Sequence, residues 1–297
     1  MTYKKFLVVI ISLLLKKKNV NVILKGGEAL MWNGEEIRNH AAATSLEYSK
    51  ESSAQIMPRE NCIRFTYNGH RLTFFGYLQN GWVYNELVNF EYKDLNFNGR
   101  VVLDIGANTG GTAVYFALNG ALKVYALEPM PLTYTFLFRN IIENNLQDKI
   151  LAYKLGCGNK NLKIRLRKDV SMLGSDLNSS ICKCKDSNYD EVEIVTMKDI
   201  IMMNGIGNCV LKMDCEGCEY DALLGLDQET LSHFDEIILE YHNGAGKIID
   251  FFRKNNYEIV YPLLVQKRSG ILYIKRAYSV NSGGGPQTYP VKSVATL

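Results

Sequence analysis

The residues best able to do chemistry fall in three short stretches. The first is Val101 to Gly110 (VVLDIGANTG), an apolar run ending in Asp104 and then Gly106-Ala107-Asn108-Thr109-Gly110, ahead of a helix-compatible GTAVYFALNG. A glycine turn at a helix N-terminus brings backbone N–H groups close to a ligand and favours negative groups there. The spacing is D-x-G-x-x-x-G and not G-x-G-x-x-G. An acid at the strand end accepts hydrogen bonds from an ammonium group but repels a pyrophosphate, so a cofactor with an amino-acid moiety suits the turn better than a dinucleotide. The second stretch, KVYAL from Lys123, ends in Glu128-Pro129, 22 positions beyond Gly106. A carboxylate about 20 residues on is where ribose hydroxyls are gripped.

The third stretch is Lys212-Met-Asp214-Cys-Glu216-Gly-Cys-Glu219, with His242 at the end of the next apolar run. In a doubly wound sheet these two runs are neighbours, so three carboxylates and a histidine share one rim. Clustered carboxylates raise one another's pKa or bind a divalent cation through oxygen. His242 is the preferred general base, since an unperturbed pKa near about 6.5 suits proton abstraction at neutral pH, with a satisfied structural histidine as the other reading. Asp214 reads as a site residue or a cap. Lys212 reads as a charge partner for the cluster or a snorkelling chain, and Glu219 as a site residue or a carboxylate complementing a helix dipole. A metal-free route is preferred slightly, because Lys212 beside the cluster could balance one carboxylate.

The elements that must position these residues follow from rhythm. Beyond Gly99, strands alternate with helices, the pattern of a parallel sheet built from βαβ units. The expected strands are 101–105, 123–127, 149–154, 209–213, 236–240, 258–263 and 270–275. The last two are joined by too few residues for a parallel crossover, so the final strand should run antiparallel. A strand pair at 162–167 and 191–195 brackets a Ser/Asn/Cys-rich loop. The expected division is an accessory region at 1–98, the sheet domain at 99–278 and a flexible tail at 279–297. The accessory region reads as β-hairpins, with turns at Gly26-Gly27, Asn33-Gly34 and Asn68-Gly69, behind an N-terminal helix. The apolar run at 6–15 between lysines is too short to span a bilayer; a packed helix, peripheral membrane docking and an export signal stay open. The tyrosines of 76–84 read as packing or as a lid over the substrate.

The 297 residues, 47% hydrophobic and 22% charged, exclude disordered, collagen-like and low-complexity classes. A formal charge of +3 gives no field that would make nucleic acid the expected partner. Seven irregularly spaced cysteines suggest a reducing, cytoplasmic setting, with peripheral contact at the inner membrane face as an option. Cys215-x-x-Cys218 with Cys182-x-Cys184 could form a four-thiolate zinc site or a disulfide; buried free thiols are the plainer reading.

Together, VLDIGANTG (102–110), YALEP (125–129), LKMDCEGCE (211–219) and ILEYH (238–242) resemble the FkbM family of class I S-adenosylmethionine-dependent methyltransferases over about residues 85 to 276. The third block is the most specific, matching K-x-D-x-E-G-x-E at every fixed position. Cysteines at 215 and 218, and the long accessory region, depart from the family. The resemblance implies a Rossmann-like seven-stranded sheet and S-adenosylmethionine as cofactor. It implies that Asp104, Gly106, Ala107, Asn108 and Gly110 hold the methionine portion, Glu128-Pro129 the ribose, and the backbone at Gly156-Cys157 the adenine, with Asp214 alongside. It further implies O-methylation of a hydroxyl on a small molecule, sugar or lipid-linked glycan, and the rim residues Asp214, Glu216, Glu219, Lys212 and His242 read as the catalytic set. An RNA methyltransferase and a non-catalytic binding protein are the alternatives.

Overall fold

The computed structural model describes residues 19–23, 29–33, 54–78, 80, 83, 87, 92–167, 189–261 and 268–277. The apolar run at 6–15, the Cys182/Cys184 loop, Tyr84 and the tail from 279 lie outside them.

Strands β1 (Asn19–Ile23) and β2 (Ala29–Asn33) pair antiparallel; the expected turn at Gly26-Gly27 lies outside the described residues. Strands β3 (Gln55–Met57), β4 (Cys62–Tyr67) and β5 (His70–Phe75) form a meander. Its β4–β5 turn puts Asn68 and Gly69 at φ 47° and 81°, the left-handed pair that a two-residue hairpin needs. Period-two alternation then buries Ile63, Phe65, Leu72 and Phe74 on one face.

The remainder alternates β6 (Val101–Ile105), α1 (Gly111–Leu118), β7 (Lys123–Leu127), α2 (Pro131–Glu143), β8 (Ile150–Tyr153), β9 (Leu155–Cys157), β10 (Leu162–Arg167), β11 (Tyr189–Val195), α3 (Met197–Asn204), β12 (Cys209–Met213), α4 (Glu219–Leu224), α5 (Gln228–Leu231), β13 (Phe234–Tyr241), α6 (Gly246–Lys254), β14 (Tyr257–Tyr261) and β15 (Gly270–Arg276). Seven of these strands form one sheet in the order β14-β15-β13-β12-β6-β7-β8. Strand β15 is antiparallel to both neighbours, as its short connection requires. Every residue of the central β12 is buried, the mark of a parallel strand covered on both faces.

One face carries Val102, Val124, Val210 and Ile238, and packs in a single core with Phe74 and Tyr77 of the accessory region and Phe116 of α1. The other carries Leu103, Leu211, Ile237 and Leu239 against Ile248 and Phe252 of α6. Tyr77 is buried in the first core, so that tyrosine packs and forms no lid. The expected strand 149–154 ends early, and the chain passes into β9, which leaves the main sheet to pair with β11. Gly156 permits this, since a Cβ there would strike the Ile194 side chain.

Asn140 of α2 and Asn144, which caps that helix, bind the meander to the sheet. The Asn140 amide accepts from Phe75 N at 2.7 Å and donates to Phe75 O at 3.0 Å and Thr109 O at 2.8 Å. One turn on, Asn144 repeats the paired bonds with Thr73 N and O at 2.9 and 2.8 Å. Among the described residues, no helix is long and apolar enough to cross a membrane.

Candidate active site

Strands β6, β7, β12 and β13 bring their C-terminal ends together, and each delivers part of the site. The turn after β6 is set by Gly106 at φ 79°, where a Cβ would land on the carbonyl oxygen of Asp214. Only glycine lets the first and third stretches touch at that point. The contact is reinforced by Asp214 N donating to Ile105 O at 2.9 Å.

Asp104 is fully buried. Its Oδ2 accepts from Thr112 Oγ1 at 2.6 Å and its Oδ1 meets the Lys212 ammonium at 3.0 Å, while that ammonium also donates to Gly106 O at 2.9 Å. Lys212 and Asp104 sit opposite each other in the β12–β6 register, so the pairing is fixed by the sheet. Lys212, expected beside the carboxylate rim as its charge partner, thus makes its short contacts on the glycine-turn side. Asp104, expected to meet a ligand ammonium, has that role filled within the protein by Lys212.

Glu128, at the end of β7, is 6% exposed. Its carboxylate accepts from Asn108 N at 2.9 Å, Met130 N at 2.9 Å and Thr133 Oγ1 at 2.8 Å. Burial pushes this carboxyl up from its ordinary range, and the three hydrogen bonds oppose the rise. A carboxylate has about four lone-pair sites, so three donors leave one for a ligand hydroxyl. Beside it, Asn108 Oδ1 is buried without a hydrogen-bond partner, at a residue held at φ 50°. Gly156 is buried in β9, where a Cβ would come within 3.5 Å of Pro129, so the glycine abuts the Glu128-Pro129 corner. Cys157 is buried next to it, its thiol pushed up to about 12 by desolvation. A pinned glycine turn, an unpartnered amide oxygen and an open lone pair on Glu128 fit a cofactor bearing a ribose and an amino-acid tail.

The rim lies one strand further on. His242, just past β13, is oriented by the fully buried Glu219, whose Oε1 faces Nδ1 at 3.1 Å and also accepts from Cys215 N at 3.2 Å. The other ring nitrogen, Nε2, faces Glu216 Oε2 at 3.3 Å, and Asp214 Oδ1 and Glu240 Oε1 at 3.9 Å each. The Glu219 hydrogen bond, with Glu216 and Asp214 nearby, lifts the imidazole to about 9 against the opposing effect of burial, far from the neutral-pH value expected of a free histidine. Desolvation raises Asp214, against the pull of Lys212 and His242. Asp214, Glu216, Glu219 and His242 are therefore brought together as expected. Glu240 joins them unexpectedly, although its signal was available: residues 240 and 242, two apart on an extended chain, share a face. A small open cleft lies beside Asp214 and Glu240, lined also by Tyr92, Ile238 and Ile271.

Cys215 and Cys218 are disulfide-bonded, with Cα atoms 5.5 Å apart, which removes two thiolates from any four-cysteine zinc site and overturns their reading as free thiols. The bridge spans the turn that holds Glu216 at φ 56° and Gly217 at φ 112°. A glutamate in the left-handed region is uncommon and tends to mark functional turns. Cys62 and Cys209 remain free and buried, like Cys157.

Residues 104–259 match the family model described as the methyltransferase FkbM domain, more than half of the chain. The chain belongs to the FkbM methyltransferase family. Its seven-stranded sheet with an antiparallel last strand is the class I methyltransferase arrangement, and S-adenosylmethionine is the cofactor of that fold. This FkbM chain is 25% identical over 164 residues to Methyltransferase 1 of Beauveria bassiana, covering 49% of the chain and 66% of that protein. It is 44% identical over 52 residues to a ribosomal protein L11 methyltransferase of Carboxydothermus hydrogenoformans, covering 18% and 17%. The chain thus spans less than two thirds of either relative. Among solved structures it is similar to a ribosomal protein L11 methylase from Lactobacillus delbrueckii (17% identity, 70% and 82% coverage, TM-score 0.37). It is also similar to a magnesium protoporphyrin IX methyltransferase from Synechocystis with bound SAM (15% identity, 68% and 81% coverage, TM-score 0.35).

Proposed function

We propose that this FkbM chain transfers a methyl group from S-adenosylmethionine to a hydroxyl of a small molecule, sugar or lipid-linked glycan. The observation that carries the reading is the adjacency of two different surfaces: a glycine turn with a ribose-competent Glu128, and, one strand away, a rim of four carboxylates around His242. When bound, the cofactor supplies an electrophilic methyl on a sulfonium that is already a good leaving group. Catalysis by the protein is then mostly placement, plus acceptance of the hydroxyl proton, since an alcohol is a poor nucleophile until that proton has somewhere to go.

In this reading Glu128 and the Gly106–Gly110 turn hold the nucleoside and the amino-acid tail. Lys212 and Asp104 fix the turn from beneath. The hydroxyl enters from the open cleft by Asp214 and Glu240, where a carboxylate of the rim takes up its proton and Glu219 keeps the imidazole aimed at the rim. The deciding test is to incubate the protein with methyl-labelled S-adenosylmethionine and polar and lipid extracts of its source, then identify the product by mass spectrometry. An O-methyl ether is expected. Label found on nitrogen or carbon, or on RNA, would sink the hydroxyl assignment.

A further inference from the structure

We infer that Asp214, Glu240 and the Nε2 of His242 form a binding site for one divalent cation of the Mn²⁺ class. Charge balance is the first argument. Four carboxylates (Asp214, Glu216, Glu219 and Glu240) approach one imidazole, and the nearby lysine, Lys212, is engaged 3.0 Å from Asp104. Among these groups, a charged imidazolium offsets only one carboxylate.

Unsatisfied oxygens are the second argument. Glu219 is fully buried, and its Oε2 has no hydrogen-bond donor although its Oε1 touches His242. Asp214 Oδ1 is buried and has no hydrogen-bond donor either, and it lies 3.9 Å from the other ring nitrogen, Nε2. Buried carboxylate oxygens without donors are costly and rare, and an ion beside Nε2 would satisfy the Asp214 oxygen.

Geometry is the third. One atom each from Asp214, Glu240 and His242 lie within 4.8 Å of one another. Ligands about 2.1 Å from a metal stand about 3 Å apart when adjacent, so side-chain adjustments on the order of 1 Å close the set. Glu219 on Nδ1 fixes the tautomer that leaves the Nε2 lone pair facing the carboxylates, the usual arrangement of a metal-bound histidine backed by a carboxylate. Two oxygens and one imidazole nitrogen suit Mn²⁺ or its neighbours better than a thiolate-seeking ion. Three protein ligands leave positions facing the cleft, where, if the hydroxyl reading above is right, the acceptor oxygen would bind.

The test uses chelator-treated, full-length protein and MnCl₂, following free Mn²⁺ by electron paramagnetic resonance. One ion per chain is expected, with at least tenfold weaker binding in Glu240→Gln and in Asp214→Asn, while S-adenosylmethionine affinity by calorimetry changes by less than about threefold in Glu240→Gln. Pulsed resonance of the wild-type complex should show coupling to one imidazole nitrogen, a readout that needs no variant. Absence of stoichiometric binding, binding unchanged in both variants, or no nitrogen coupling would each overturn the site. None of these readouts requires methyl transfer, so a protein that binds Mn²⁺ here yet methylates no hydroxyl defeats the proposed function and leaves the site standing.

Discussion

Lys212→Met is the perturbation whose outcome the structure constrains most tightly. The pair it breaks has side chains only 4% and 0% exposed, so water cannot replace the lost ammonium at Asp104. Removing one partner of a buried ion pair costs about 3–5 kcal/mol, because the remaining charge is stranded in a low-dielectric interior. Thr112 still donates to the other Asp104 oxygen, which argues for the lower part of that range. Gly106 O loses its donor in the same step, an effect of about 1–3 kcal/mol that overlaps with the first and does not simply add. The double variant Asp104→Asn with Lys212→Met replaces the charged pair by neutral groups, and such replacements are often nearly neutral. Urea unfolding followed by circular dichroism should therefore place Lys212→Met about 3 kcal/mol or more below wild type. The double variant should recover most of that loss. S-adenosylmethionine affinity should stay reduced in both, since neither restores the hydrogen bond that sets the Gly106 carbonyl. A Lys212→Met protein within about 1 kcal/mol of wild type, or a double variant no better than the single, would refute the reasoning.

Three other outcomes are expected. Glu128→Ala should weaken S-adenosylmethionine by about 1–3 kcal/mol, roughly 5- to 150-fold by calorimetry, and unchanged affinity would remove Glu128 from the cofactor site. His242→Ala should lower turnover by roughly 10²–10⁴-fold with cofactor affinity nearly constant, and full activity in this variant would exclude the His242 cluster from the proton transfer. Replacing Cys215 and Cys218 by serine opens a bridge of sequence separation 3 and should cost about 2 kcal/mol in denaturant unfolding, as should dithiothreitol acting on wild type; no difference between oxidised and reduced protein would show the bridge to be thermodynamically idle.

Much of this arrangement was legible in the chain before any coordinates. The buried strands β6, β12 and β13 are near-continuous apolar runs, and the five-residue VQKRS stretch ahead of β15 forced its antiparallel direction. Asn68-Gly69 announced its turn. What stayed hidden depends on which residues the sheet register sets side by side. Lys212 and Asp104 are neighbours only because β12 pairs with β6 in one particular alignment, and nothing local to Lys212 distinguishes Asp104 from Asp214 as its partner. Strand β9 was hidden because Leu155 to Cys157 continue the apolar character of β8, and the break between them is settled by pairing with the distant β11. The Cys215–Cys218 bridge was one of several readings of a CxxC that also overlaps the acidic motif.

Asn140 and Asn144 carry a consequence for any attempt to isolate the catalytic half. Strand β5 is the outer edge of its sheet, and an outer edge ordinarily offers unpaired backbone groups on which a foreign strand can grow. Asn140 and Asn144, one helical turn apart, match alternate residues of β5 closely enough to act as a surrogate strand, and they cap that edge at Phe75 and Thr73. Asn140 simultaneously grips Thr109 in the glycine turn after β6. Cutting the chain near residue 98 would leave both amides facing solvent and loosen that turn. The released meander would present a bare, sticky border, so the two pieces should fare worse apart, one in affinity and the other in solubility.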